Sequence, residues 1–308
     1  MQQDHLGNDD NKKVIRQMMH RNSFKRKAFD KIATILSVAC VIAAVIPLGS
    51  ILVEVVRNGS AALSFEFLTQ TPGSVGSGEG GIGPAIQGTL IVVGMASLIS
   101  TPIGVLAGMY LAEFSSSGGR ANARFADFIR FFSDVLTGLP SIVVGIVSYL
   151  TIVLAIGFSV WAGAFALSII MIPIVVRVSE ETLKIVPDNI REAGYSLGIP
   201  KWKVIVKIVL STAKSGVLTG VVLAISRISG ETAPLIMTIL GASIYVQSFT
   251  GPVDALPLRI WRLASQPYDS AHSFGWGAAL VLILLVLALS VSLRLIAQRR
   301  SLAFVRMY

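Results

Sequence analysis

The chain has 308 residues, of which 53% are hydrophobic and 14% charged, with a net charge of +9 and a mean hydropathy of +0.73. Soluble chains carry about 25% charged residues, so this composition excludes a disordered protein, a disulfide scaffold and most soluble enzymes, and points to a membrane protein. The single cysteine, Cys40, lies in an apolar run, and His5, His20 and His272 match no metal-ligand spacing, so neither a metal nor a cofactor is expected.

Residues 1–31 form a basic tail with eight lysines and arginines. The first apolar run, Ile32–Val56, is too long for the core of a secretory signal and lacks a small-residue cleavage site, so it is expected to remain as a helix. Residues 57–85 are a polar, glycine-rich loop. Its Gly76-Ser-Gly78-Glu-Gly80-Gly81 spells G-x-G-x-x-G, but a dinucleotide site needs a preceding strand and a crossover helix, and this run lies between two apolar spans. Five further apolar runs follow: Ile86–Ala112, Asp134–Ile156, Ser159–Val176, Gly216–Leu240 and Phe274–Ile296. Each comes close to the roughly 20 residues that cross a hydrocarbon core as a helix, and none alternates with the period of a barrel strand. Lipid offers the backbone no partners, so the fold class expected is all-α, a bundle of six transmembrane helices. The short turn at Gly157–Phe158 makes its two neighbours a tight antiparallel pair. Pro47, Pro102, Pro140, Pro173 and Pro234 place one kink or hinge in each of the first five spans.

Lysines and arginines set the orientation. Twenty-two lie in the tail, in the loops after the second and fourth spans, and from Arg294 onward; three (Arg57, Arg259, Arg262) lie on the other side, and Arg227 falls inside a span. Both termini are therefore expected in the cytoplasm, and topology with anionic headgroups accounts for the positive charge without nucleic acid.

Within the loop 177–215, Pro187 and Asp188 open a short helix in which Ile190, Ala193 and Leu197 share a face. Gly198 ends it, and Pro200 prevents its continuation. A second amphipathic stretch, Lys201–Leu210, is expected to lie along the membrane surface. Such elements either dock on a partner or rest on headgroups. Glu192-Ala193-Gly194, three residues, Gly198, nine residues and then Ile208-Val209-Leu210 resembles the E-A-A coupling motif of ABC importer permeases, with Gly194 for the second alanine and Ser211 for the final proline. The resemblance implies that Glu192, Ala193, Gly194, Gly198, Ile208 and Leu210 belong to an element that couples to a cytoplasmic ATPase.

The fifth span places Arg227 about 16 Å along a helix, near the membrane midplane, at about 1.5 Å per residue. A lone charge there costs about 2.5–3.5 kcal/mol on the insertion scale, and Glu231, four residues on, is positioned to pair with it. The pair reads either as a packing salt bridge or as an anion site, because a guanidinium takes phosphate-like oxygens in a bidentate fork. Arg227 with Gly230-Glu231-Thr232-Ala233-Pro234-Leu235 resembles the R-x-x-G-E-T-A-P-L signature of phosphate ABC-transporter permeases. Gly80-Gly81-Ile82 with Gly88-Thr89-Leu90, Pro102-Ile-Gly104 with Tyr110-Leu111-Ala112-Glu113, and Gly138-Leu-Pro140-Ser141-Ile142-Val143-Val144-Gly145 extend the likeness. It is closer to the PstA-type subunit than to the PstC-type.

The resemblance implies a type I importer fold with its core over 86–296 and a cytoplasmic tail over 297–308, in a prokaryotic inner membrane. It implies a phosphate site at Arg227 and Glu231; the hydroxyls of Ser141, Ser226 and Thr232 either line that route or bond to their own helix backbone, the commoner arrangement. The implied partners are a PstC-like permease, two PstB-like ATPase subunits and an extracytoplasmic PstS-like phosphate-binding protein. No G-x-x-x-x-G-K-[ST] loop occurs, so ATP hydrolysis is expected on a partner. The alternatives are another oxyanion or solute in the same class, or an ion-coupled secondary transporter using Arg227 and Glu231 as a relay. An intramembrane protease is disfavoured, since no histidine lies in a span beside a serine.

Overall fold

The computed structural model describes residues 4–74, 78–115 and 119–305, with side chains described within them for residue 27 and from residue 29 to residue 295. It divides into two units at Val56. The first is most of one helix, α1 (Asp4–Ser60), whose stretch Phe29–Ser60 is long and apolar enough to cross a membrane. Because the helix starts at Asp4, the backbone of the basic tail is continuous with the first span and has no boundary near Lys31.

The second unit contains α2 (Phe65–Thr69), α3 (Gly83–Glu113), α4 (Gly119–Gly138), α5 (Ser141–Ile156), α6 (Val160–Lys184), α7 (Asp188–Ser196), α8 (Lys201–Ile228), α9 (Ala233–Thr238), α10 (Leu256–Ala264) and α11 (Asp269–Val305). Among the described residues there is no strand, only isolated bridges between Pro72 and Gly80 and between Leu240 and Val253. Among the described residues, five helices are long and apolar enough to span a membrane, or six if the bent pair α4–α5 counts as one. The protein is a multi-pass, all-α membrane protein.

Helix α6 is the centre of this unit, and glycines explain how closely its neighbours approach. Hydrophobic burial does not drive helices together in lipid, so small residues that admit close van der Waals contact take over that task. Gly104 and Gly108 of α3 form a G-x-x-x-G step. A Cβ on either would stand 2.6 Å from the Cβ of Val175 or of Ser179 on α6. Gly216 and Gly220 of α8 repeat the step on the other side, against Thr182 and Val178 of α6, with no room for a Cβ. Around this sandwich Val92, Ala96, Leu167, Met171, Val221, Ala224 and Ile228 form a buried core. The α5–α6 turn at Gly157 is tight as expected: Ser159 caps α6 by accepting from the Ala162 N–H, and the Ser148 hydroxyl donates to the Ala162 carbonyl at 2.8 Å.

Two expected spans and one expected surface stretch differ from the structure. Asp134–Ile156 is not one helix, because α4 and α5 meet at 103° across Leu139 and Pro140. A proline ring collides with the carbonyl four residues back and biases the preceding residue to extended backbone, which kinks or ends a helix; at Pro140 it ends one. Gly216–Leu240 is also interrupted: α8 ends at Ile228 and α9 begins at Ala233. Here Pro234 sits in the first turn of α9, and the Gly230 and Glu231 N–H groups close tight turns onto the Arg227 and Ile228 carbonyls. Lys201–Leu210 is not a separate surface helix but the first turns of α8, joined through a π segment at Val204–Val209. Pro47, Pro102 and Pro173 lie inside continuous helices, so only those three can act as kinks. Gly76 and Ser77 lie outside the described residues, while Gly80 and Gly81 are pressed against the backbone of Gly73 and Phe67.

Replacing Gly220 with Ile forces extra atoms into the α6–α8 seam. We expect about 1–3 kcal/mol of destabilisation, the usual cost of overpacking, read as a lower thermal midpoint and lower yield in detergent. Gly94, which has open space at its Cβ position, should accept alanine with no such loss.

Candidate functional site

At one end of the bundle α7 lies between α6 and α8. Its termination is a Schellman motif: the Gly198 N–H donates to the Tyr195 carbonyl at 2.9 Å, and the Ile199 N–H donates to the Gly194 carbonyl at 3.3 Å. Gly198 makes this possible with φ +72° and nothing near its Cβ position, so its requirement is conformational. Gly194 has a different reason to be small. It faces the π segment of α8, where a Cβ would sit 3.0 Å from Val204 and 3.1 Å from Ile208. Ile208 and Leu210 are half-buried supports beneath α7, and Ile190 turns inward with them. Glu192, Ala193, Tyr195 and Leu197 point outward, with Leu197 78% exposed. The expected apolar stripe is thus divided: Ile190 anchors the helix, and Ala193 and Leu197 remain open.

One residue of this element was not singled out by its sequence context. Arg191 donates from Nε to both carboxylate oxygens of Glu113 at 3.1 and 3.3 Å, and from Nη2 to Oε1 at 2.8 Å. It also donates to the Leu183 and Val186 carbonyls and to Asp188. The Glu113 and Arg191 side chains are 5% and 13% exposed. Hydrogen bonding to Glu113 raises the arginine pKa further, so the guanidinium stays charged. Removing one partner of a buried pair costs about 3–5 kcal/mol. The available signal was a carboxylate ending an apolar span, with no way to tell which cation it meets.

At the opposite end of α8, the break after Ile228 presents Arg227. This residue is in the last turn of α8, at a helix break rather than midway along a continuous helix. Its side chain is 62% exposed, and among the described residues its guanidinium pairs with Glu231 alone, at 3.5 Å. Thr232 is the N-cap of α9, but its side chain makes no capping bond. Ser141 opens α5, and α5 meets α9 where Gly145 lies against Pro234; a Cβ on Gly145 would be 2.8 Å from the proline Cα. The structure therefore brings Arg227 and Glu231 into contact, sets Thr232 beside them, and puts Ser141 at the start of the half-helix that packs on α9. Ser226 is engaged elsewhere, donating to the Val222 carbonyl and linked to Ser290 of α11 at 2.8 Å.

Other arginines are held more closely. Arg259 donates from Nε to Asp254 Oδ2 at 2.6 Å, and burial pushes the Asp254 carboxyl up despite that cation. Arg130 reaches Glu180 at 3.0 Å, where Lys184 also lands.

Residues 100–302 match the family described as binding-protein-dependent transport system inner membrane component. A relative named phosphate transport system permease protein PstA, from Haemophilus influenzae, is 43% identical over 258 residues, which cover 83% of this chain and 89% of that protein. A probable PstA from Methanocaldococcus jannaschii is 38% identical over 255 residues, covering 82% and 88%. The chain belongs to the PstA family of binding-protein-dependent transport permeases. A chain of the bacterial alginate ABC transporter matches the permease with a TM-score of 0.64 at 15% identity, over 88% of this chain and 96% of that one. The inward-facing MetNI methionine ABC transporter matches at 0.55 and 16% identity, over 71% and 96%. At such identities the likeness speaks for the fold alone, that of ABC importer permeases.

In the permease, Gly198→Ala puts a Cβ into left-handed backbone, which costs about 1–2 kcal/mol. The expected outcome is faster proteolysis or hydrogen exchange confined to α7 and Ile199, with α3 and α6 protected as before.

Proposed function

We propose that the chain is the PstA-type half of an ATP-driven importer of inorganic phosphate, with a PstC-like permease, two ATPase subunits and an extracytoplasmic phosphate-binding protein as partners. Both termini face the cytoplasm, as the lysine and arginine distribution favours. The observation that carries the reading is the state of Arg227: a guanidinium at a helix break with one loose carboxylate partner, beside a threonine hydroxyl that caps nothing.

A guanidinium pairs with a phosphate oxyanion through two parallel charge-assisted bonds. Glu231 holds the empty arginine and opposes overly tight anion binding, which suits release. Thr232 and Ser141 supply hydroxyls along the same route. The neighbouring backbone is irregular, and a spanning chain tolerates that only where protein buries it or a wet cavity satisfies it. At the other end, the outward face of α7, with Glu192, Ala193 and Gly198, is the surface on which an ATPase subunit docks. Closure of the ATPase dimer moves α7, and the helices attached to it switch the route between outward and inward access.

Arg227→Gln should lower phosphate uptake by about tenfold or more, since hydrogen bonds to charged groups contribute about 1.5–3 kcal/mol. The assembled complex should still be recovered. Arg227→Lys should fall between, because it retains charge but not the fork. Uptake unchanged by Arg227→Gln would remove the substrate role. For the docking face, Glu192→Lys or Gly198→Trp should abolish ATP hydrolysis that responds to the binding protein, measured in liposomes; a wild-type response would refute the docking assignment.

A further inference from the structure

The last turn of α3 is held from three sides, all at the α7 end of the bundle. Glu113 takes the fork of Arg191 on α7. Phe114 lies beneath Lys201 Nζ, 4.7 Å from the ring centroid, at the start of α8. Tyr110 stacks on Phe114 at 5.9 Å and meets Phe125 of α4 edge-on at 5.2 Å. Arg191 is at the same time bonded to the carbonyls of Leu183 and Val186, at the end of α6. Leu183 lies in the last turn of α6, where its carbonyl also accepts the Val186 N–H, and Val186 lies just past the helix end. One guanidinium thus joins α7 to the ends of both α3 and α6.

Without Arg191, α7 would still rest on α8 through the Gly194 seam with Val204 and Ile208. That seam is apolar and can slide. The Arg191 bonds are directional, with little exposure to water, and they move with the helix that carries them.

We propose that Arg191 is the positioning residue of coupling. It makes α7 travel as one body with the ends of α3 and α6, so a push on α7 reaches all three helices instead of passing into α8 alone. This rests on the reading of α7 as the ATPase-docking helix.

The test uses the complete importer in liposomes with its binding protein and measures phosphate moved per ATP hydrolysed. Arg191→Gln and Glu113→Gln should each lower that ratio by about fivefold or more, the low end of ordinary coupling energies, with the ATPase subunits still copurifying. Arg191→Lys should lose less. The double glutamine variant should be no worse than Arg191→Gln alone, because that change already removes the link to Glu113. An unchanged ratio in both single variants overturns the proposal. So does a parallel fall of hydrolysis and uptake, or loss of the ATPase subunits, since the pair would then only maintain the shape of α7. A wild-type chain that never copurifies with an ATPase would defeat the docking reading itself, and this inference with it.

Discussion

The architecture depends on how closely α3 and α8 approach α6. Four glycines, Gly104 and Gly108 on one side and Gly216 and Gly220 on the other, let backbone meet side chain where no Cβ would fit. In lipid this contact stands in for the hydrophobic drive that assembles soluble bundles. Because α8 is fixed along its length by that seam, its two ends are fixed as well. One end lies beneath α7 and the other presents Arg227, so a single packed layer joins α7 to Arg227.

Helix breaks supply what the packed layer cannot. Pro140 and Pro234 each end helical geometry inside an apolar run, and the half-helices they begin, α5 and α9, pack on each other at Gly145 and Pro234. Interrupted helices place polar backbone and hydroxyl groups at a depth where an unbroken helix would bury them in its own hydrogen bonds. A transport route needs such groups, and the break at Pro234 follows directly on Arg227 and Glu231.

Charge is distributed with the same logic. Arg191 and Arg259 are buried in short, multiply bonded pairs that stiffen either end of the molecule. Arg227 has one partner at 3.5 Å and most of its surface open. A tightly satisfied guanidinium has no donors left for a ligand; a loosely satisfied one exchanges partners at little cost.

The sequence by itself determined the solvent, the helical class and the chemistry of the two candidate regions, because run length, hydropathy and residue type are local properties. The short helix ended by Gly198 was legible from Pro187, the apolar spacing and the glycine. The pairing of Arg227 with Glu231 was legible from spacing, although the break between them was not, since five prolines in five spans look alike in one dimension. Only tertiary structure decided which of them interrupt a helix, which depends on whether neighbouring helices can accept the freed carbonyls. Only tertiary structure joined Arg191 to Glu113 across 78 residues of chain. An ion pair between distant segments leaves no periodic trace, because its geometry is set by the packing of the helices that carry it.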